Sequence, residues 1–224
     1  MAKLKILLIA GHGEGDPGAV SNGYQEAVLT REVVGKLKPQ LEKYADVTIA
    51  DTGKNWFTYK NRVTLDFSPY DYVLEIHFNA AANDTKGNGK TTGTEIYITE
   101  SEKTHGVETE IVNGISALGF KNRGVKRKNW SVIARAKSQG VSSALLEVCF
   151  IDDLDDMKLY QAQKDNIVKS IANGVVKGFG LSATEPDYIY IIKEKIGLED
   201  QTIKYLQDYK YGADLIRKIA NAVK

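Results

Sequence analysis

From residue 4 to residue 179, short apolar runs bounded by turn residues alternate with amphipathic stretches of helical period. That alternation confines the chain to an α/β fold, because strands joined by helix-length crossovers pair in parallel and are buried on both faces. The expected strands are 4–10, 46–50, 70–78, 93–99 and 143–150, with a short edge strand at 124–126. The expected helices are 26–44, 59–67, 104–118 and 157–179. In the first helix Ala27, Val28, Val33, Val34, Leu37 and Leu41 recur on one side, and in the last Ile167, Ile171, Val175 and Phe179 do the same. The architecture this predicts is a central, mostly parallel, twisted sheet covered by helices on both faces, with its working site beyond the C-terminal ends of the strands.

Composition narrows the function. Lys and Arg number 30 against 29 Asp and Glu, so no global field attracts nucleic acid, and no apolar run approaches the roughly 18 residues that span a bilayer. A single Cys rules out a disulfide framework or a Cys-rich zinc module. The positive start is followed by an apolar stretch that stops at Gly11, too short for a secretory leader. Synthesis in the cytoplasm without a signal peptide is the expectation.

Chemistry-bearing residues fall at the predicted strand ends. His12 follows the first strand in Gly11-His12-Gly13, His77 and Asn79 end the third, and Glu147 lies near the end of the last. Imidazole and carboxylate are the donors a catalytic zinc takes, with one position left open. Two of the chain's three histidines therefore converge on one sheet edge, and Glu26, at the start of the first helix after a Gly- and Asp-rich loop, has the reach to join them. A Glu there also suits the positive end of a helix. His105, in a polar stretch, reads as a solvated residue. Glu147 sits among Leu145, Leu146, Val148, Cys149 and Phe150, where an unpartnered carboxylate is costly; burial raises its pKa toward that of a general base. Glu75 shares the face of His77 and competes for either role. Cys149 shares the face of Glu147 by period-two spacing and reads as a small core residue. Residues 86–92 read as a mobile loop, since they lack the full phosphate-cradling pattern.

Taken in order, these pieces resemble the zinc-dependent N-acetylmuramoyl-L-alanine amidases of the type-3 group, found in phage endolysins and bacterial autolysins. The matching segments are Ala10-Gly-His-Gly13 with Gly15-Asp-Pro-Gly-Ala19, Gly23-Tyr-Gln-Glu26, Ile76-His-Phe-Asn79, Gly93-Thr-Glu-Ile-Tyr97, Asn122-Arg-Gly-Val-Lys126 and Leu145-Leu-Glu-Val-Cys-Phe-Ile151. The resemblance spans residues 3 to 181. It implies that His12, Glu26 and His77 hold Zn2+ and that Glu147 is the catalytic acid/base. The substrate it implies is peptidoglycan, cut at the amide between N-acetylmuramic acid and the L-alanine of the stem peptide after the enzyme's release to the cell wall. Zinc in such a site acidifies a bound water to a pKa of roughly 7 and polarises the carbonyl. Asn79, Arg123 and Lys126 are candidates for holding substrate, with Arg127, Lys128 and Trp130 beside them. The chain departs from the family at Glu75, where a small polar residue such as Ser is usual, and at Cys149, where a glycine is common.

The expected domains are a zinc amidase catalytic domain at 1–181, a linker at 182–186 and a small helical module at 187–224. That module is of marginal size for an independent core and holds five tyrosines, Tyr188, Tyr190, Tyr205, Tyr209 and Tyr211. They serve either as its own core or as a surface for wall binding or self-association. Two other readings stand beside the amidase: a non-catalytic peptidoglycan-binding module, and a zinc peptidase acting within the stem peptide.

Overall fold

The computed structural model describes residues 3–181 and 188–223; the expected linker at 182–186 lies outside them. The chain divides into two compact units, Met1–Ser182 and Ala183–Lys224.

The first unit is built on β1 (Lys5–Ala10), β4 (Asp46–Ile49), β5 (Tyr72–Asn79), β6 (Thr94–Ile98), β7 (Asn122–Arg127) and β8 (Ser142–Phe150), plus a small hairpin of β2 (Val20–Ser21) and β3 (Tyr24–Gln25). Its helices are α1 (Glu26–Leu41), α2 (Tyr59–Arg62), α3 (Gly106–Ser116), α4 (Ser131–Ser138) and α5 (Leu154–Gly178). The six-stranded sheet has the order β4-β1-β5-β8-β6-β7. The pairs β1–β4, β1–β5, β5–β8 and β6–β7 are parallel, whereas β6 meets β8 antiparallel. The expected doubly covered, mostly parallel sheet is what forms. Period-two alternation explains the layering. Ile6, Leu8, Leu74, Ile76 and Leu146 face a core shared with α1, α3 and α5, while Leu7, Ile9 and Val73 face a smaller core closed by Trp56, Phe67 and, from α4, Val132 and Ala136.

On the larger face, α3 and α5 lie backbone to backbone. A Cβ on Gly174 would come within 2.7 Å of the Ile111 Cα, so glycine is required for that approach. The acid run that opens α5 pins the segment after β5. Asp153 accepts from the amides of Asp155, Asp156 and Thr92 and from the Thr92 hydroxyl. Asp152 accepts from the amides of Ala81, Ala82 and Asn83, and Asp155 from those of Asn88 and Gly89. The segment at 86–92, expected to be mobile, is thus tied through its backbone.

Several expected elements are corrected. The helix at 59–67 is only Tyr59–Arg62; Phe67 is fully buried beneath the sheet, and Pro69 biases the residue before it away from helix. A helix at Ser131–Ser138 was not anticipated. Cys149 does not share the face of Glu147. Pairing passes from His77↔Glu147 to Asn79↔Phe150, so β8 carries one extra residue, a bulge that turns Cys149 into the main core.

The second unit comprises α6 (Tyr188–Ile196), α7 (Asp200–Asp208) and α8 (Gly212–Ala222). Its core is aliphatic, centred on Ile192, Ile216 and Ala220, with Tyr188 packed at its side. Tyr190, Tyr205, Tyr209 and Tyr211 are exposed, which removes the reading in which the tyrosines form this core. Among the described residues, no helix is long and apolar enough to cross a membrane.

Candidate active site

β1 ends at Ala10 and the chain turns at Gly11, against which the His77 ring lies. A Cβ on Gly11 would meet that ring at 2.3 Å, so only glycine lets the two strands bring their ends together. His12 follows in the left-handed region, at φ 63°, a strained setting for a non-glycine residue that its surroundings enforce. Arg31 of α1 provides much of that enforcement: its guanidinium donates to the carbonyls of Gly11, His12 and Thr52, and Thr30 donates to Gly11 as well. The loop after His12 returns through backbone bonds from Glu26 to Ala19 and from Ala27 to Pro17, which sets the first residue of α1 beside the strand ends.

Glu26 becomes the bridge. Its Oε2 lies 3.0 Å from His12 Nε2 and accepts from the Ala19 amide; its Oε1 lies 2.9 Å from His77 Nδ1 and accepts from the Phe78 amide. The imidazole rings stand edge to face with centroids 5.0 Å apart. Each histidine has a second carboxylate on its other nitrogen: Asp16 Oδ2 is 2.9 Å from His12 Nδ1, and Glu75 Oε1 is 3.2 Å from His77 Nε2. Asp16 is held in turn by Asn55 Nδ2 and the Gly18 amide. Burial alone raises a carboxyl pKa, but at Glu26 the hydrogen bonds and charge of both imidazoles outweigh it and hold the group well below the usual range. Burial likewise pulls the His77 imidazole down, and the bonds to Glu26 and Glu75 win, leaving it well above its ordinary value.

Glu147 is the cross-strand neighbour of His77. Burial pushes its carboxyl up to about 7, opposed by the His77 charge and reinforced by Glu26, Glu95 and Glu75. Its Oε2 is buried and has no hydrogen-bond partner among the described residues, as is true of Oε2 of Glu75. His12, Asp16, Glu26, Glu75, His77, Asn79, Trp130 and Glu147 all line one cleft of about 320 Å³.

The residues fit a zinc ion. His12, Glu26 and His77 present one donor atom each, all within 4.8 Å of one another, which is the two-imidazole, one-carboxylate set of catalytic zinc. Four carboxylates, Asp16, Glu26, Glu75 and Glu147, face two imidazoles around the cleft, and Oε2 of Glu75 and of Glu147 accept no hydrogen bond among the described residues; a divalent ion redresses that imbalance.

The other candidates distribute differently. Because β6 runs against β8, Glu95 sits directly across from Glu147. This buried acid collects the expected substrate residues: its Oε1 accepts from Asn79 Nδ2 at 2.8 Å and Tyr97 Oη at 2.9 Å, and its Oε2 from Arg123 Nε at 2.5 Å and from Lys126 Nζ. Asn79 also accepts from the Ala80 amide, so both ends of its side-chain amide are spent within the protein. Arg127 is consumed by the carbonyls of Thr99, Glu100 and Glu102. Lys128 Nζ lies 3.7 Å from the Trp130 ring centroid. His105 is exposed at the start of α3, bonded to Thr109, as its polar surroundings implied. Sequence reasoning missed Glu95 as a hub, Arg31 as the brace of the His12 turn, and Asp16 and Asn55. A buried acid inside the apolar run of β6 was the available signal for Glu95.

The family model for N-acetylmuramoyl-L-alanine amidase matches residues 6–177. The chain belongs to the N-acetylmuramoyl-L-alanine amidase family. Among relatives, the amidase is 28% identical over 204 residues to the sporulation-specific N-acetylmuramoyl-L-alanine amidase of Bacillus subtilis strain 168, covering 85% of this chain and 74% of that protein. It is 28% identical over 187 residues to the endolysin of Bacillus phage SPP1, covering 80% of this chain and 65% of the endolysin. In fold it matches the crystal structure of the N-acetylmuramoyl-L-alanine amidase from Clostridium difficile 630, with a TM-score of 0.67 at 22% identity over 80% of this chain and 98% of that one. The amidase is therefore a peptidoglycan hydrolase, and its strand-end cleft is where that activity is to be sought.

Proposed function

We propose that the amidase uses zinc, held by His12, Glu26 and His77, to hydrolyse the amide between the lactyl group of N-acetylmuramic acid and the L-alanine of the stem peptide. The observation that carries this reading is the convergence of that donor set with a desolvated Glu147 in one cleft. The metal, when bound, supplies a Lewis acid and an acidified water. Glu147, poised near neutrality, takes a proton from the attacking water on its carboxylate and returns it to the leaving alanine nitrogen. His12 and His77 stay as ligands, braced by Asp16 and Glu75. Arg123 keeps its Nη groups, and Lys126 its remaining Nζ protons, for an anionic part of the stem peptide; Asn79 contributes by fixing Glu95 beneath them.

Likeness to a phage endolysin supports a lytic role exercised on the wall after release from the cytoplasm. The exposed tyrosines of the C-terminal unit support wall binding or self-association. Deleting residues 183–224 and measuring wall pelleting and molecular mass separates these two, and no change in either removes both. The test of the main reading is turnover of purified cell walls before and after chelation. Activity that disappears with the metal and returns with added Zn2+ supports it; activity that persists in metal-free protein overturns it.

A further inference from the structure

Glu75 is 3% exposed, lies in the cleft two residues before His77 on the same strand face, and makes one ion pair among the described residues, with His77 Nε2 at 3.2 Å. Its Oε2 is buried with no hydrogen-bond partner among the described residues. A carboxylate placed in this setting costs free energy with little structural return, so its position calls for a functional reason. The other histidine is built as a mirror of this one. His12 turns Nε2 toward Glu26 and Nδ1 toward Asp16, whereas His77 turns Nδ1 toward Glu26 and Nε2 toward Glu75. In each pair, the nitrogen that does not face Glu26 faces a second carboxylate.

We propose that Glu75 is a positioning residue for zinc binding: by accepting the Nε2–H of His77 it fixes the ring so that Nδ1, not Nε2, is the ligand nitrogen. The inference rests on the zinc reading above and deepens it. Metal-ligating histidines gain affinity and a fixed tautomer from such outer carboxylates, whose loss costs about 10–100-fold in metal affinity. Asp16 performs the same task for His12 through the opposite nitrogen, which lets two strand ends of different geometry serve one ion.

The test uses the full chain with Zn2+ alone as ligand, titrated in competition with a chromophoric chelator. Glu75→Ala is expected to weaken zinc binding by about 10–100-fold. Glu75→Gln, which keeps an acceptor oxygen, is expected to lose less, and His77→Ala to lose specific binding. Thermal melts of the metal-free variants separate misfolding from lost affinity, and the isosteric Gln variant carries the comparison should the Ala variant unfold. The ¹⁵N shifts of the His77 ring in the zinc-loaded protein give a second readout, expected to show a protonated Nε2 and a metal-bound Nδ1. Folded Glu75 variants with parental zinc affinity, or a metal-bound Nε2, overturn the proposal while the zinc reading stands. A parent protein that binds no zinc overturns both.

Discussion

Replacing Glu147 by Gln separates the two consequences of its burial, because the amide keeps the shape and removes the titrating charge. The folded protein holds the Glu147 proton from the ordinary 4.5 up to about 7. At about 1.4 kcal/mol per pH unit, that displacement corresponds to roughly 3 kcal/mol at most. The side chain is reached by water in the cleft, so about 1–3 kcal/mol is the expected range. The sign follows from proton linkage. The folded state binds this proton more tightly than the unfolded state, so the carboxylate's cost is absent below about pH 4.5, grows between 4.5 and 7, and is constant above. In metal-free protein, Glu147→Gln is therefore expected to match the parent near pH 4.5 and to exceed it by about 1–3 kcal/mol at pH 8. Urea unfolding of both proteins in chelator, across that range, reads the difference directly. The same variant is expected to lose about 10²–10⁴-fold in wall hydrolysis, the usual worth of a positioned acid/base, while still binding zinc. A stability difference that stays flat with pH, or turnover within a few-fold of the parent, refutes the assignment of Glu147 as a desolvated acid/base.

Other perturbations follow from the packing. Gly174→Ala places a methyl 2.7 Å from the Ile111 Cα and is expected to destabilise the first unit by about 1–3 kcal/mol; an unchanged denaturation midpoint contradicts the close approach of α3 and α5. Asp153→Ala removes the N-terminal cap of α5 together with both bonds to Thr92, and a loss of about 2–4 kcal/mol is expected, with faster amide exchange across residues 86–92. A chain ending at residue 182 is expected to keep its unfolding transition and its turnover of soluble wall fragments, because among the described residues both cores of the first unit draw on residues up to 181; loss of that transition refutes the independence of the unit.

Most of the frame was legible in the sequence because its strands are buried on both faces and stand out as apolar runs. Leu4 to Ala10 and Ser143 to Phe150 announce themselves in this way, and a polar residue interrupting such a run, His77 or Glu147, is conspicuous for the same reason. Strand direction is not written in periodicity. Nothing in Thr94–Ile98 says that it runs against β8, and that reversal is what sets Glu95 opposite Glu147 and gathers Asn79, Arg123 and Lys126 around it. The bulge that turns Cys149 inward depends on pairing with β5, a long-range property no local pattern carries. The eight residues of α4 are too short a window to declare themselves. In the C-terminal unit the aromatic content left a tyrosine core and a tyrosine surface both open, but isoleucine and alanine fill the centre, and Tyr190, Tyr205, Tyr209 and Tyr211 are exposed.

The proposed chemistry stands or falls on a zinc ion held by His12, Glu26 and His77 beside Glu147. One measurement addresses it directly: metal content and product analysis on the same preparation acting on purified peptidoglycan. The expected result is about one zinc per chain, with new N-terminal alanine released and no new reducing sugar ends. Reducing ends, new termini within the stem peptide without N-terminal alanine, or full turnover by a zinc-free preparation would contradict it.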